Sequence, residues 1–361
     1  MEKKKIVFLY SELATYFLAC IKQLLLHPEV EVHIVRWEVN KEAPFQFSFS
    51  ENLKTYERKD YSSSQLLGLV GIIDPDIIYS SGWMDKDYLK ICKKYKNKIP
   101  VIVGFDNQWK GSLKQKIATI VSPFKILNHF SYCWVPGELQ YKYALKLGFK
   151  TSKILTGFYC CDFDFFYNQY LANKDLKQKQ FPHRFIYVGR YVEHKGIMDL
   201  WTAFIELQKE NPNDWELWCI GTGDVQPVIH DKIKHFGFVQ PNDLHLYIEK
   251  TGVFVLPSHF EPWGVVVHEF TSAGFPIICS DEVGARTTFV ENDLNGYVYE
   301  SGDIKLLKDA MIKTMSHSDS ELILMSEKSI EKARQLTPEK WAATLLKVCG
   351  SAITNDITSQ K

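Results

Sequence analysis

The amino-acid sequence predicts an α/β fold built as two units in tandem. Short apolar runs with strand character alternate with segments of helical period, which implies parallel sheets covered by helices. The alternation breaks once, in the polar stretch after Asp162, and a fresh series starts at Phe185. In the first series residues 6–10 read as a strand, 16–26 as a helix and 30–37 as a second strand. Apolar runs at 77–79 and 101–103 continue the sheet, with helical stretches at 88–94 and 113–120. Residues 132–135 are strand-like and stop at Pro136 and Gly137, after which 138–147 reads as a helix closed by Gly148. The second series gives strands at 185–188, 215–220, 252–256 and 276–279, helices at 196–209, 225–234 and 264–274, and a late helical region. After Pro338, residues 339–348 read as a last amphipathic helix. The expected domains are an N-terminal unit over 1–166, a linker over 167–183, a C-terminal unit over 184–337 and a final helix over 338–361, which can pack back on the first unit.

A length of 361 residues with 45% hydrophobic and 24% charged residues is that of a globular chain with room for two cores. No uncharged apolar stretch is long enough to span a bilayer and no secretory leader pattern is present, so the expected location is the cytoplasm. The eight cysteines include the neighbours Cys160 and Cys161 but no Cys-x-x-Cys pair and no Cys/His ligand spacing. Reduced core thiols are expected, and no metal site.

The net charge of zero hides an asymmetry. Residues 1–166 hold 23 Lys and Arg against 17 Asp and Glu, and the remainder holds 20 against 26. The basic half suits an anionic membrane surface or an acidic acceptor, with an ordinary solvated face as the alternative. Lys3 to Lys5, Trp109, Lys110, Lys114 and Lys116 give it a basic, aromatic-containing face that fits the inner membrane surface. Basic clusters such as Lys93, Lys94, Lys96 and Lys98 carry no nucleic-acid recognition motif.

Chemistry concentrates in the second series. Glu261 and Glu269 flank the start of the helix expected at 264–274. Were both in one helix, eight steps of about 100° would leave them roughly 80° apart and about 12 Å along the axis, suited to two parts of an elongated ligand. Between them Gly264 and its successors offer backbone N–H groups and the positive end of a helix dipole, which suit a phosphate. Arg190 and Lys195 lie in a loop that follows a strand and opens a helix, where a guanidinium fork and a point charge can neutralise a diphosphate without a metal. Gly221 and Gly223 permit a tight turn after the next strand but lack the third glycine of a dinucleotide fingerprint. Gly237 in Phe236 to Val239 lets backbone reach a base edge. Each motif alone also reads as an exposed loop or an ordinary strand end.

Together, residues 185–196, 221–223, 236–239, 253–258, 261–269, 274–278 and 295–298 resemble, in order and at about the usual spacing, the donor-binding domain of the retaining glycosyltransferases of family 4, the glycosyl transferases group 1. The resemblance spans about residues 183–315. It implies a GT-B fold, two Rossmann-like domains facing across a cleft, with a nucleotide-sugar donor held mainly by the C-terminal domain. Carried over by motif, Arg190 and Lys195 would bind the diphosphate, Glu269 the ribose hydroxyls and Glu261 the hydroxyls of the donor sugar. Phe238 or Val239 would lie by the base, with Gly223 among the donor-binding residues, and the N–H groups of Trp263, Gly264 and Val265 would approach sugar and phosphates. The resemblance also implies retention of configuration without a covalent intermediate, no cofactor, no metal, and a UDP-sugar as the default donor.

The N-terminal half is similar to the family only in its strand-helix order and in residues 132–148. Residues 10–15 hold no glycine where many members carry a glycine-rich loop, and Phe105 and Asp106 stand where many have a histidine near the reacting centre. Asp106 is accordingly the acceptor-side catalytic candidate, with capping of the turn at Asn107 the alternative. Glu12 and His129 are lesser candidates, and His268 reads as a helix-packing residue. The expected activity is sugar transfer to a glycan or lipid-linked acceptor in cell-surface polysaccharide or glycolipid synthesis, in the cytoplasm or peripheral at the inner membrane face. The alternatives are a GT-B epimerase or phosphorylase and a catalytically silent sugar-nucleotide-binding protein. A nicotinamide dehydrogenase lacks its fingerprint.

Overall fold

The computed structural model describes residues 3–38 and 53–358, with side chains to residue 350. The chain divides into two units, Met1–Cys160 with Leu336–Lys361, and Cys161–Gln335.

The first unit contains β1 (Lys4–Tyr10), α1 (Thr15–Leu24), β2 (Val30–Arg36), β3 (Leu53–Glu57), α2 (Ser63–Ile73), β4 (Ile77–Ser81), α3 (Lys86–Tyr95), β5 (Val101–Gly104), α4 (Leu113–Lys125), β6 (Tyr132–Val135), α5 (Glu138–Lys146) and β7 (Ile154–Thr156). Its seven strands lie in the order β3-β2-β1-β4-β5-β6-β7, and every neighbouring pair is parallel. The central strands are runs of Val, Ile and Phe because helices cover both faces of such a sheet: Ile6 to Leu9 and Val101 to Val103 are fully buried. The order reverses between β1 and β4, so the loops after these two strands diverge and leave a crevice at the carboxyl edge. β3, α2 and β7 were not foreseen from apolar runs. At the start of α2, Ser62 and Gln65 form a reciprocal capping box.

The second unit opens with α6 (Phe163–Lys179), followed by β8 (Arg184–Val188), α7 (Ile197–Glu210), β9 (Glu216–Ile220), β10 (Ile233–His235), α8 (His245–Ile248), β11 (Val253–Leu256), α9 (Val265–Ser272), β12 (Ile277–Ser280), α10 (Arg286–Phe289), β13 (Gly296–Tyr299), α11 (Ile304–Met315) and α12 (Asp319–Ala333). Its six strands are parallel in the order β10-β9-β8-β11-β12-β13, with the reversal between β8 and β11.

Two elements differ from expectation. Most of the stretch expected as a linker, 167–183, is the body of α6: Asp162 caps this helix by accepting from the Phe165 N–H, and Phe163 and Phe166 are buried. Its polar composition concealed an inward Lys177, whose ammonium donates to the Thr251 carbonyl at 2.8 Å and lies 4.0 Å from the centre of the Phe275 ring. The helix expected over 225–234 does not form. Pro227 supplies no N–H, the Val225 N–H is taken by the Tyr191 carbonyl at 2.9 Å, and Ile233 to His235 pair with β9 as a strand.

After α12 the chain rejoins the first unit as α13 (Pro338–Thr358). Trp341 carries this junction: it is 1% exposed, packs tilted against Trp134 with ring centres 4.7 Å apart and donates its indole N–H to the Phe158 carbonyl at 2.8 Å. All eight cysteines are buried, and none is in a disulfide among the described residues. Among the described residues no helix is long and apolar enough to cross a membrane.

Candidate functional site

In the second unit the loops after β8, β9 and β11 gather at the carboxyl edge of the sheet, and glycines set how closely they approach. The Gly221 N–H donates to the Gly237 carbonyl at 2.7 Å, and a Cβ on Gly221 would lie 1.8 Å from the Gly189 carbonyl oxygen. Gly196, at φ 66°, closes the turn that opens α7, where a Cβ would lie 2.0 Å from the Pro257 carbonyl oxygen. A Cβ on Gly223 would meet the Tyr191 carbonyl at 2.2 Å. These contacts are backbone on backbone, so no side chain fits without moving a loop.

This crowding brings the predicted charges together. Lys195 forms an ion pair with Glu261, both side chains being less than one-fifth exposed. Glu261 is held from behind: it forms a bridge with Val283, and its carbonyl accepts from the Gly284 N–H at 3.0 Å. Arg190 is exposed on the β8 loop, with its carbonyl accepting from the Tyr187 hydroxyl at 2.8 Å. His194, next to them, is pushed below its ordinary pKa, first by burial and then by the charges of Lys195 and Arg190. A second pair, His259 Nε2 with Asp199 Oδ2 at 2.6 Å, fixes the loop after β11 against α7. Sequence reading missed both histidines; their only signal was their place in the two loops already singled out.

Gly264, at φ 89°, is the N-cap of α9, and the first N–H groups of this helix have no intrahelical acceptor. Trp263 precedes it, 2% exposed, with a buried indole N–H that has no hydrogen-bond partner among the described residues; the Ser258 hydroxyl is buried in the same state. Glu261 lies outside α9 and Glu269 within it, so the two carboxylates project from different elements. Glu269 is half-buried, and its carboxyl has no hydrogen-bond partner among the described residues. Burial, and secondarily the Asp162 carboxylate, pushes it up to about 7. Phe238 is 44% exposed in the loop after β10, with Val239 half-buried beside it, while Phe236 turns inward against Trp218 at 4.9 Å. His268 packs as expected: its Nδ1 accepts from the Cys161 N–H at 3.2 Å, its Nε2 meets the Ala333 carbonyl at 3.2 Å, and its ring stacks on Phe289.

The remaining candidates lie in the first unit. Asp106 follows β5, accepts from the Tyr159 hydroxyl at 3.3 Å, and lines with Glu12 a cavity of about 380 Å³. His129 is elsewhere, its Nδ1 3.0 Å from the Lys125 carbonyl at the end of α4. Among the described residues no group of three or more His, Cys, Asp or Glu side chains stands close enough to hold a metal ion.

A basic pair, a helix N-terminus and a partnerless carboxyl at the switch point of a parallel sheet suit a phosphorylated, hydroxyl-bearing ligand. Residues 172–336 match the family model described as glycosyl transferases group 1. The matched segment includes α7, α9 and the loops just described. Over 182 residues the chain is 29% identical to the lipopolysaccharide 1,6-galactosyltransferase of Escherichia coli, covering 47% of this chain and 49% of that protein. The chain spans about a third to a half of the length of the curated relatives it matches. Among solved structures, sucrose-phosphate synthase from Thermosynechococcus elongatus superposes with TM-score 0.72 at 16% identity, covering 98% of this chain and 100% of that one. Anabaena HepE in complex with UDP and glucose superposes with TM-score 0.67 at 14% identity, covering 96% and 100%. The fold is GT-B, with two Rossmann-like units.

Proposed function

We propose that the protein is a retaining, metal-independent glycosyltransferase that moves a sugar from a UDP-sugar to a glycan or lipid-linked acceptor. The observation that carries this reading is the Lys195–Glu261 pair beside the N-terminus of α9, with the partnerless Glu269 on the same helix. In this reading departure of the nucleoside diphosphate develops negative charge, which Lys195, Arg190 and the first N–H groups of α9 stabilise as it forms. Glu269 takes the ribose hydroxyls. Glu261, held by Lys195, takes hydroxyls of the donor sugar and releases the lysine toward the phosphates, while Phe238 and Val239 flank the base. Asp106 accepts a hydrogen bond from the incoming acceptor hydroxyl. The UDP and glucose of the HepE complex support the donor class, and the galactosyltransferase relative supports cell-surface glycan synthesis as the setting.

The second part of the reading is contact with an anionic membrane surface. Helix α4 turns Leu113, Ile117, Ile120, Val121 and Phe124 to solvent at helical spacing, and Ser122 alone of its residues is buried. Lys110, Lys114, Lys116 and Lys125 accompany this stripe, and residues 107–137 contain no Asp or Glu. An apolar stripe with only positive charge around it complements the interface of anionic lipid.

The test of the donor assignment is thermal-shift and hydrolysis screening against UDP-, GDP- and ADP-sugars, since a ligand of the native state raises apparent stability. Stabilisation and slow hydrolysis with a UDP-sugar, unaffected by chelator and yielding product of unchanged anomeric configuration, is the expected result. A Glu269→Ala protein that folds and turns over normally would remove the assignment.

A further inference from the structure

The cavity of the first unit lies at the switch point between β1 and β4, enclosed by the loops after β1, β4, β5 and β7. Its volume of about 380 Å³ is within the range of small-molecule pockets. The floor is aromatic. Tyr79 stacks on Phe158 with ring centres 4.9 Å apart and on Tyr10 at 6.0 Å. A Cβ on Gly104 would fall 1.6 Å from the Tyr79 hydroxyl oxygen, so the glycine that ends β5 is what allows the Tyr79 ring to lie there.

Two features say what the cavity accepts. Tyr10 and Tyr79 are 4% and 1% exposed, yet neither hydroxyl has a hydrogen-bond partner among the described residues. Neither hydroxyl oxygen is sealed from solvent, so both open on the cavity, where they can bond the hydroxyls of a ligand. The charged groups lining the cavity are Glu12 and Asp106, and no Lys or Arg lines it among the described residues. Carboxylates and aromatic faces attract hydroxyl donors, C–H faces and ammonium groups, and they repel phosphate.

We propose that this cavity binds the acceptor through a polyhydroxylated ring that bears no phosphate or other anionic group, whether neutral or amino-substituted. The role as acceptor rests on the glycosyltransferase reading; the selection against anions rests on the cavity's own residues. A longer acceptor places its reactive ring here and keeps any phosphate outside.

The test is calorimetric titration of the full chain, with a nucleoside diphosphate present, against a methyl hexoside, its amino-sugar analogue and the hexose 6-phosphate. The neutral or the amino ring binds, and the phosphorylated ring binds at least about tenfold more weakly. A preference for the amino ring that fades with salt identifies the cationic form, and a salt-independent preference identifies the neutral one. Tyr79→Phe, which keeps the ring and removes the hydroxyl, weakens ring binding about threefold to tenfold, with nucleotide affinity as the control for a folded protein. A phosphorylated ring bound as tightly as the neutral one, no ring bound by a protein that still binds nucleotide, or an unaltered Tyr79→Phe protein overturns the proposal and leaves the donor reading standing. Failure to bind any nucleotide overturns the donor reading instead.

Discussion

Replacing Glu269 by Gln removes a pH dependence that this carboxyl imposes on stability. Burial first and the Asp162 carboxylate second raise it from the ordinary 4.5 to about 7. Because the folded value lies above the unfolded one, its stabilising contribution is complete below about 4.5 and is lost as the pH rises through 7. The interval of 2.5 pH units between 4.5 and 7 corresponds to about 3 kcal/mol at most. Access of solvent to the half-buried carboxyl reduces this to about 2 kcal/mol. For a unit of this size that is a shift of about 4 to 8 °C. Thermal unfolding of both proteins from pH 4.5 to pH 8 is the assay: the melting temperature of Glu269→Gln gains on the wild type by this amount across the window. Nucleotide binding supplies the second half of the experiment. Ribose hydroxyls donate to the ionised carboxyl, so affinity for UDP rises with pH through 7 in the wild type, and subtracting the Gln variant removes the ionisation of the nucleotide itself. Parallel melting curves, together with the same pH profile of affinity in both proteins, would refute both the raised pKa of this half-buried carboxyl and its proposed role toward the ribose.

Gly196→Ala puts a Cβ 2.0 Å from the Pro257 carbonyl oxygen in a residue at φ 66°, so either the loop moves or the fold weakens by about 1 to 3 kcal/mol. Donor hydrolysis falls with it, because the neighbouring Lys195 moves away from Glu261, and chemical denaturation alongside a hydrolysis assay reads both effects. Ile117→Asp with Ile120→Asp abolishes flotation with anionic liposomes and leaves the melting temperature within about 2 °C, since the two side chains are 52% and 75% exposed. Unchanged flotation would exclude α4 as the membrane contact. Trp341→Ala costs about 3 to 5 kcal/mol, read by denaturant unfolding, because it removes the indole packed on Trp134 and its bond to Phe158.

The strands were legible because a parallel sheet covered on both faces requires uninterrupted apolar runs, and β1, β5, β8 and β11 have them. The edge strand β3 is half-exposed and mixes Lys54 and Glu57 with Thr and Tyr, so no run announces it. α6 was hidden for the opposite reason. Its polar face is long, and the tertiary contact that holds it, Lys177 on Thr251 and Phe275, joins residues far apart in sequence. The glycines, cations and carboxylates of the loops after β8, β9 and β11 were legible residue by residue, since they recur there in one short order. That Lys195 would pair directly with Glu261, across 66 positions of sequence, was not, because only the closeness of the loops after β8 and β11 makes it so.

The charge of each half of the sequence misleads about the charge of its site, and helix geometry explains why. The basic N-terminal half holds the cavity lined by Glu12 and Asp106, while the acidic C-terminal half holds the site with Arg190 and Lys195. In a parallel α/β unit the strand carboxyl ends meet the helix N-termini, and the helix C-termini lie at the opposite edge of the sheet. Lys22, Lys93, Lys94, Lys125 and Lys146 all occupy last helical turns, where a cation complements the dipole. The excess positive charge of the first half is therefore spent away from the cavity edge, on helix ends and on the solvent face of α4. What reaches the cavity is the residue that follows each strand: Ser11 and Glu12 after β1, Ser81 with Gly82 at the end of β4, Asp106 after β5 and Tyr159 after β7. Reading charge by strand ends, instead of by half-chain totals, places Arg190 and Lys195 at the site of the second unit and Glu12 and Asp106 at the cavity of the first.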